Sequence, residues 1–367
     1  MRKKWGALFF FAGFCLAPMP ASDYSIFVGT EVPAERIEAV TGGGHFPVMI
    51  RMDNGDLGAA VRGGDTHVGI KGRLDWIRST DNGRTWTRKV LVDSPLDDRN
   101  PAVGQLADGT VLMSYHIAGT ADQKAGEPEK KGPAIRDGLY IVRSHDRGVT
   151  WDKPIKSEVP LEFGASGYGK IVQLSDGTAL MAVYYLKGFP WDHISYVYRS
   201  TDGGRKWGDP SKIASDFDET ALAVMPKDRL IAVLRSKVGA HLCTSFSEDK
   251  GRTWSAPQQI TRDKEHPADV IVLKDGRLLL SYGERNKPYG IRARLSSDQG
   301  RTWGRETFIL AADCMTGDCG YPSSAEVAPG KIVTLYYGVN APYDPYGKNP
   351  ESLSHAFTAA ILWSIPR

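Results

Sequence analysis

The 367-residue sequence predicts an all-β fold, a six-bladed β-propeller built from four-stranded antiparallel blades. Three observations predict it: a polar octet that recurs five times, six apolar hairpins in antiphase with the octet, and the composition of a turn-rich globular domain. Hydrophobic residues at 41%, charged residues at 24% and 40 glycines supply a sizeable core with many turns and exclude disorder.

The octets are STDNGRTW from Ser79, SHDRGVTW from Ser144, STDGGRKW from Ser200, SEDKGRTW from Ser247 and SSDQGRTW from Ser296. In each, the Asp accepts hydrogen bonds from backbone N–H groups of a tight turn and the Gly permits a positive φ. The Thr, present there in four of the five, adds a local bond and the Trp packs under the turn. An octet is therefore a hairpin staple, and five copies on different blades could not all face one active site.

Between the octets lie VMIRMDNGDLGAAV, AVGQLADGTVLMSY, KIVQLSDGTALMAVYY, LAVMPKDRLIAVLR, VIVLKDGRLLLSYG and AEVAPGKIVTLYYG. Each reads as a β-hairpin of two β-rich runs about a turn, commonly Asp-Gly or Asn-Gly. Strand-like runs such as GRLDWIR, GLYIVR and HISYVYR precede octets, and RKVLV follows the first one. Each unit thus supplies about four strands, and a radial array of six protects most sheet edges. The sixth unit lacks an octet; its terminal AFTAAILWSIPR, with YSIFVGT near the start, is expected to complete the ring.

The opening residues differ in kind. Arg2, Lys3 and Lys4 precede an apolar run from Trp5 to Leu16 and then APMPAS, the pattern of a secretory signal peptide over residues 1–21, too short to span a bilayer. Residues 22–367 then form a single propeller domain, exported to the periplasm or the exterior. Those three cations account for the whole formal charge of +3, so nothing suggests nucleic-acid binding. Cys243, Cys314 and Cys319 remain after cleavage, and CMTGDC could close a disulfide loop between Cys314 and Cys319. No Cys and His spacing resembles a zinc site, so neither metal nor cofactor is expected.

The octet resembles the Asp-box, or bacterial neuraminidase repeat, and with the hairpins the chain resembles the sialidase superfamily over nearly its whole mature length. In that family a Tyr–Glu pair is the nucleophile, an Asp the general acid/base, and three arginines bind the substrate carboxylate; tyrosine-nucleophile sialidases depart from the two-carboxylate scheme of most glycosidases. By resemblance, Tyr321 in DCGYPSSAEV is the nucleophile and Glu219 in FDETALAV its base, with Asp65 in the loop RGGDTHVGIKGRLDW, beside His67, as acid. Arg235 and Arg285 match two of the arginines, with Arg292 an alternative to Arg285. His45 in GGGHFPVMI stands where the first arginine is usual, so Arg62 or Arg99 becomes the candidate for the missing charge. Asp98, His116, His193 and His266 also fall near strand ends or loops.

The resemblance implies a secreted exo-acting glycoside hydrolase that removes a terminal acidic sugar with retention, a monomer whose partner is a glycan or glycoconjugate. Two alternatives stay open. One is a polysaccharide lyase or histidine-dependent glycosidase acting on uronic-acid glycans through His45; the other is a non-catalytic glycan-binding propeller.

Overall fold

The computed structural model describes residues 29–67, 69–119, 135–157, 165–187, 192–340 and 355–366, so the expected signal peptide lies outside the described residues. Its described residues form an all-β, propeller-like arrangement of antiparallel meanders, which we number as units one to six along the chain. Unit one comprises His45–Arg51, Leu57–Gly63, Arg73–Ser79 and Thr87–Val92. The inner, first strands of the next five units are Asp97–Gln105, Ala165–Gln173, Phe217–Met225, Glu265–Val272 and Gly320–Ala328. All six hairpins expected from the sequence are present as the first two strands of these units.

The expectation of six separate four-stranded blades is met in part. Units two and three join into one eight-stranded sheet, because their inner strands pair in parallel at Gly169↔Ala102 and Lys170↔Val103. Unit five gains a fifth strand, Gly29–Glu31, parallel to Thr307–Ala311. The ring-closing strand also differs from the expected one. The last sheet is completed by Ala34–Thr41 on Ala356–Ser364, not by the YSIFVGT stretch, whose described end serves unit five. The closing strand lies on an edge and is mostly exposed, so its sequence AERIEAVT shows little of the apolar alternation that marks a strand.

Each octet begins at the end of its unit's third strand and is bonded as its composition requires. In the fourth unit, Asp249 accepts from the N–H groups of Arg252 (3.0 Å) and Thr253 (2.9 Å) and from the Thr253 hydroxyl (2.6 Å), while the Gly251 N–H reaches Ser247 Oγ. Thr253 and its backbone hold the Asp249 carboxyl at about 2, below the usual carboxylate range. The Trp254 indole N–H closes the turn on Gly251 O at 3.2 Å. The octets at Ser79, Ser144 and Ser296 repeat the bond that the Thr hydroxyl donates to the Asp carboxylate.

Octet tryptophans reach into the cores between units. Trp151 packs with the cluster joining units one and two, Trp207 with two and three, Trp254 with three and four, Trp303 with four and five, and Trp86 with six and one. Between units five and six Trp363 takes this part, in a cluster that also holds Cys314 and Cys319. Those two cysteines are free, buried thiols hydrogen-bonded to each other, so the loop that CMTGDC could close is not bridged. Buried Cys here packs as a small hydrophobe.

The octet glycine fixes how closely one unit sits on the last. A Cβ on Gly148 (φ +84°) would lie 2.3 Å from Trp76 Nε1 of the preceding unit, whereas one on Gly177 (φ +87°) would meet nothing within 4 Å. Gly177→Ala therefore isolates backbone strain, worth about 1–2 kcal/mol. Gly148→Ala adds overpacking, about 1–3 kcal/mol more. Urea unfolding of the two variants should show the larger loss at residue 148; equal losses would mean that the octet glycine serves the turn alone.

Candidate active site

All six inner strands carry a register irregularity, toward the start of the strand in five and nearer the hairpin turn in Ala165–Gln173. The pairing register slips between His45 and Val48, Arg99 and Ala102, Tyr168 and Val172, Phe217 and Thr220, Glu265 and Ala268, and Gly320 and Ser323. Such bulges re-aim side chains and are common beside functional sites. Phe46, Asn100 and Tyr321 lie in these slips with φ of 54°, 49° and 49°, a left-handed strain that costs a non-glycine residue about 1–3 kcal/mol. The sequence carries a trace of this in HFP, RNP, EHP and GYP, four prolines at matching places that the hairpin pattern alone does not single out.

The slips bring Tyr321 and Glu219 together from units six and four. The Tyr321 hydroxyl donates to Glu219 Oε1 at 2.6 Å, and Arg235 Nη1, from the second strand of unit four, donates to Glu219 Oε2 at 2.5 Å. Tyr321 and Glu219 are 7% and 6% exposed, so the triad is shielded from water. Burial, and then the Glu219 charge, push the Tyr321 phenol well above its ordinary value, so it is a neutral donor. Beside it, burial would raise the Asp218 carboxyl, but Arg235, His193 and Lys237 outweigh burial and hold it at about 2.

Arg285 completes this side. Its guanidinium carbon stands 5.8 Å from the Tyr321 ring centroid, and its buried Nε and Nη2 have no hydrogen-bond partner among the described residues. Unpaired buried donors aimed at one phenol suit an anionic ligand. His45 lies at the opposite wall, fully buried, 5.3 Å from the Tyr337 ring and with neither ring nitrogen bonded among the described residues. Burial, and then the nearby Arg62, hold it well below its ordinary value, so it is a neutral imidazole.

Several candidate residues are placed differently from expectation. Arg62 does not offer its guanidinium to a ligand: Nε and Nη2 bind Asp97, Nη1 binds the carbonyls of Asp65 and Thr66, and Nη2 also binds that of Gly69. Arg292 is away from the triad, its guanidinium engaged by the carbonyls of Ile291, Ala311 and Pro288 beside a flank groove of about 930 Å³. Arg99 is divided between Asp97 Oδ2 (3.3 Å) and the His67 carbonyl (2.9 Å). Asp65 stands in the expected loop, but its carboxylate turns back into it, accepting from the N–H groups of Thr66 (2.8 Å) and Lys71 (3.0 Å).

Of the remaining residues, Asp98 is buried and raised to about 6 by burial, with its Oδ2 accepting from the Ser94 N–H. His116 bonds Ser166, and His193 lies 3.5 Å from Asp218. Sequence reasoning missed a second hydrogen-bonded chain at the site. His67 Nδ1 meets Asp318 Oδ1 at 2.8 Å, and the Tyr337 hydroxyl donates to the same oxygen at 2.6 Å. Deeper in the centre, Lys170 pairs with Asp269, which accepts from the Ser324 N–H at 2.7 Å. Among the described residues no group of His, Cys, Asp and Glu is placed to hold a metal ion, and no helix is long and apolar enough to cross a membrane.

Inner strands converging on a buried tyrosine, a glutamate and two arginines define a propeller-like protein with a built polar site at its centre. The chain belongs to the BNR repeat-like domain family, whose description matches residues 93–333. A solved protein of unknown function from Dyadobacter fermentans is 26% identical, with a TM-score of 0.77 over 92% of this chain and 99% of that one. The Hadza microbial sialidase Hz136 is 20% identical, TM-score 0.67, over 88% of this chain, which spans 66% of that sialidase. The intramolecular trans-sialidase from Ruminococcus gnavus, in complex with oseltamivir carboxylate, is 14% identical, TM-score 0.63, over 90% and 97% of the two chains. The fold is therefore sialidase-like. No curated protein matches the sequence.

The buried histidines set an acid limit on stability. Burial, and then Arg235 and Arg285, hold His266 at about 2, against about 6.5 in an unfolded chain. The folded form keeps it neutral while the unfolded form takes up a proton below about pH 6.5, so stability falls with pH there, by up to about 1.4 kcal/mol per unit for each such histidine. Urea unfolding between pH 7 and 4.5 should give a shallower decline in His266→Gln than in the parent; parallel declines would mean that His266 is already protonated in the fold.

Proposed function

We propose that the protein is an exo-acting retaining glycoside hydrolase of the sialidase type that removes a terminal acidic sugar from a glycan. The observation that carries this reading is the buried chain from Tyr321 through Glu219 to Arg235. A neutral phenol is a weak nucleophile, and it needs a base at hydrogen-bond distance as its oxygen bonds to the anomeric carbon. Glu219 is that base: one carboxylate oxygen accepts from the phenol and the other from Arg235 Nη1. Arg285, with its buried donors unpaired, receives the sugar carboxylate beside the already paired Arg235, and His45 donates to a hydroxyl or carboxylate oxygen where a permanent charge is absent.

Units two and three count as two blades joined at their inner strands, which makes the ring six-bladed; six clusters joining successive units, the last to the first, support this count. The signal-like residues 1–21 support export, and the mature chain acts as a monomer on glycan or glycoconjugate. A lyase reading draws on His45, a buried neutral imidazole opposite the arginines, and predicts products that absorb in the near ultraviolet.

Purified mature protein incubated with a fluorogenic α-sialoside and with uronic-acid- and rhamnose-capped glycans should release one acidic sugar with its anomeric configuration retained. Tyr321→Phe should lower kcat by about 10³-fold or more. A 2-fluoro glycosyl inhibitor of the cleaved sugar should label Tyr321 in a peptide mass map. Full activity in Tyr321→Phe would remove the phenol from the nucleophile role, and ultraviolet-absorbing products would favour the lyase.

A further inference from the structure

A retaining reaction needs an acid for the leaving oxygen, and the structure argues against the carboxylate expected to supply it. Both oxygens of Asp65 are occupied by backbone N–H groups of its own loop, and the carboxyl packs so close over Gly69 that a Cβ there would fall 2.2 Å from Asp65 Cγ. Such a carboxylate organises a turn. The turn it organises presents His67.

We propose that His67, oriented by Asp318, is the general acid/base of this site, and that Asp65 is a positioning residue for the loop that carries it. The proposal rests on the glycosidase reading. Three contacts fix His67: Nδ1 meets Asp318 Oδ1 at 2.8 Å, its carbonyl receives Arg99 Nη2 at 2.9 Å, and its ring meets Phe46 edge-on with centroids 4.8 Å apart. Phe46 in turn lies 4.7 Å from the Tyr321 ring, so one aromatic ring separates the histidine from the phenol. His67 and Asp318 are 27% and 18% exposed in their side chains, whereas Tyr321 is buried, which places the imidazole at the mouth of the site. A leaving group departs toward that side.

The carboxylate partner fixes the imidazole's orientation. Burial would raise Asp318, but the His67 contact and the Tyr337 hydrogen bond more than offset it, so Asp318 stays ionised and orients the ring by accepting from Nδ1–H. The other groups around the ring are His45, 6.3 Å away on the first inner strand, Tyr337 behind Asp318, and Arg62 and Arg99 behind the loop. In the first step Nε2–H protonates the glycosidic oxygen as its bond to the anomeric carbon breaks; the Tyr321 oxygen bonds to that carbon and the phenol proton passes to Glu219. In the second, water bonds to the carbon and gives a proton to Nε2, and the departing Tyr321 oxygen recovers its proton from Glu219. Each group ends as it began.

The test compares an aryl glycoside of the cleaved sugar, whose phenolate leaves without protonation, with an alkyl glycoside, which needs it. His67→Gln should lose about 10²–10⁴-fold in kcat/KM on the alkyl glycoside, the usual range for acid catalysis, and less than about tenfold on the aryl one. Sodium azide should restore turnover of the aryl substrate by giving the glycosyl azide. Asp318→Asn should lower turnover of the alkyl glycoside more than that of the aryl one, because the ring loses the carboxylate that orients it. Asp65→Asn should lower both substrates alike. Equal losses on both substrates in His67→Gln, or a leaving-group-dependent loss in Asp65→Asn instead, would overturn the assignment while Tyr321→Phe still reports the glycosidase. A parent protein inactive on every glycoside would overturn the glycosidase reading, and the proton role with it.

Discussion

The site depends on one backbone seam. Ala34–Thr41 hydrogen-bonds to Ala356–Ser364, so the described N-terminal end of the chain completes the sheet that its C-terminal end begins. The catalytic candidates straddle this seam: Tyr321, Tyr337 and Asp318 come from the last unit or the loop before it, and His45 and His67 from the first. The Thr358 hydroxyl donates to the Gly44 carbonyl and Gly43 N–H to the Ala356 carbonyl, which ties the residues before His45 to the last sheet. The contacts of His67 with Asp318 and of Phe46 with Tyr321 both cross this seam.

Within that frame the six register slips are what make the centre a site. A regular inner strand would alternate its side chains between the two neighbouring sheets, leaving the axis to backbone and small residues. Slipping the register toward the start of the inner strand in five of the six units turns Phe46, Asn100, Glu219, His266 and Tyr321 inward together. Left-handed backbone at three of these positions is a local cost that the six apolar clusters offset, since each is a shared core that neither neighbour can rebuild alone. The octets serve the same end from the periphery by fixing the spacing of the units.

The fold was legible because its signals are local. An octet bonds within eight residues and a hairpin across two strands, so both can be read from sequence spacing. Tyr321, Glu219 and Arg235 were legible through a resemblance that fixes their places in the units. The rest was not, for reasons of partnership. Arg62 has the strand-end position expected of a ligand-binding arginine, but Asp97 on the adjacent sheet captures it, and nothing in the spacing from 62 to 97 announces that. Asp65 has the right residue type in the right loop, yet its direction is decided by two N–H groups that any turn offers. His67 and Asp318 are 251 residues apart and meet only because the ring closes. The closing strand itself was hidden by its exposure, which leaves it too polar to read as a strand.

Charge balance explains why two arginines and a neutral histidine form a coherent site. Arg235 and Lys237 face Glu219 and Asp218, so that group is already neutral, and an added anion would gain little from it. Asp318 is likewise paired, with His67 and with the Tyr337 hydroxyl. Arg285 then stands out among the described residues as a guanidinium with buried donors unpaired and the phenol in front of it. Burying a cation without a partner is costly, and a ligand with one carboxylate removes that cost when it binds. A third arginine in place of His45 would leave the site with a surplus positive charge after a monoanion had bound, whereas a neutral imidazole leaves none. His45 and Arg285 therefore bring different chemistry to the site, hydrogen bonding from a buried neutral imidazole and charge from a guanidinium with unpaired donors.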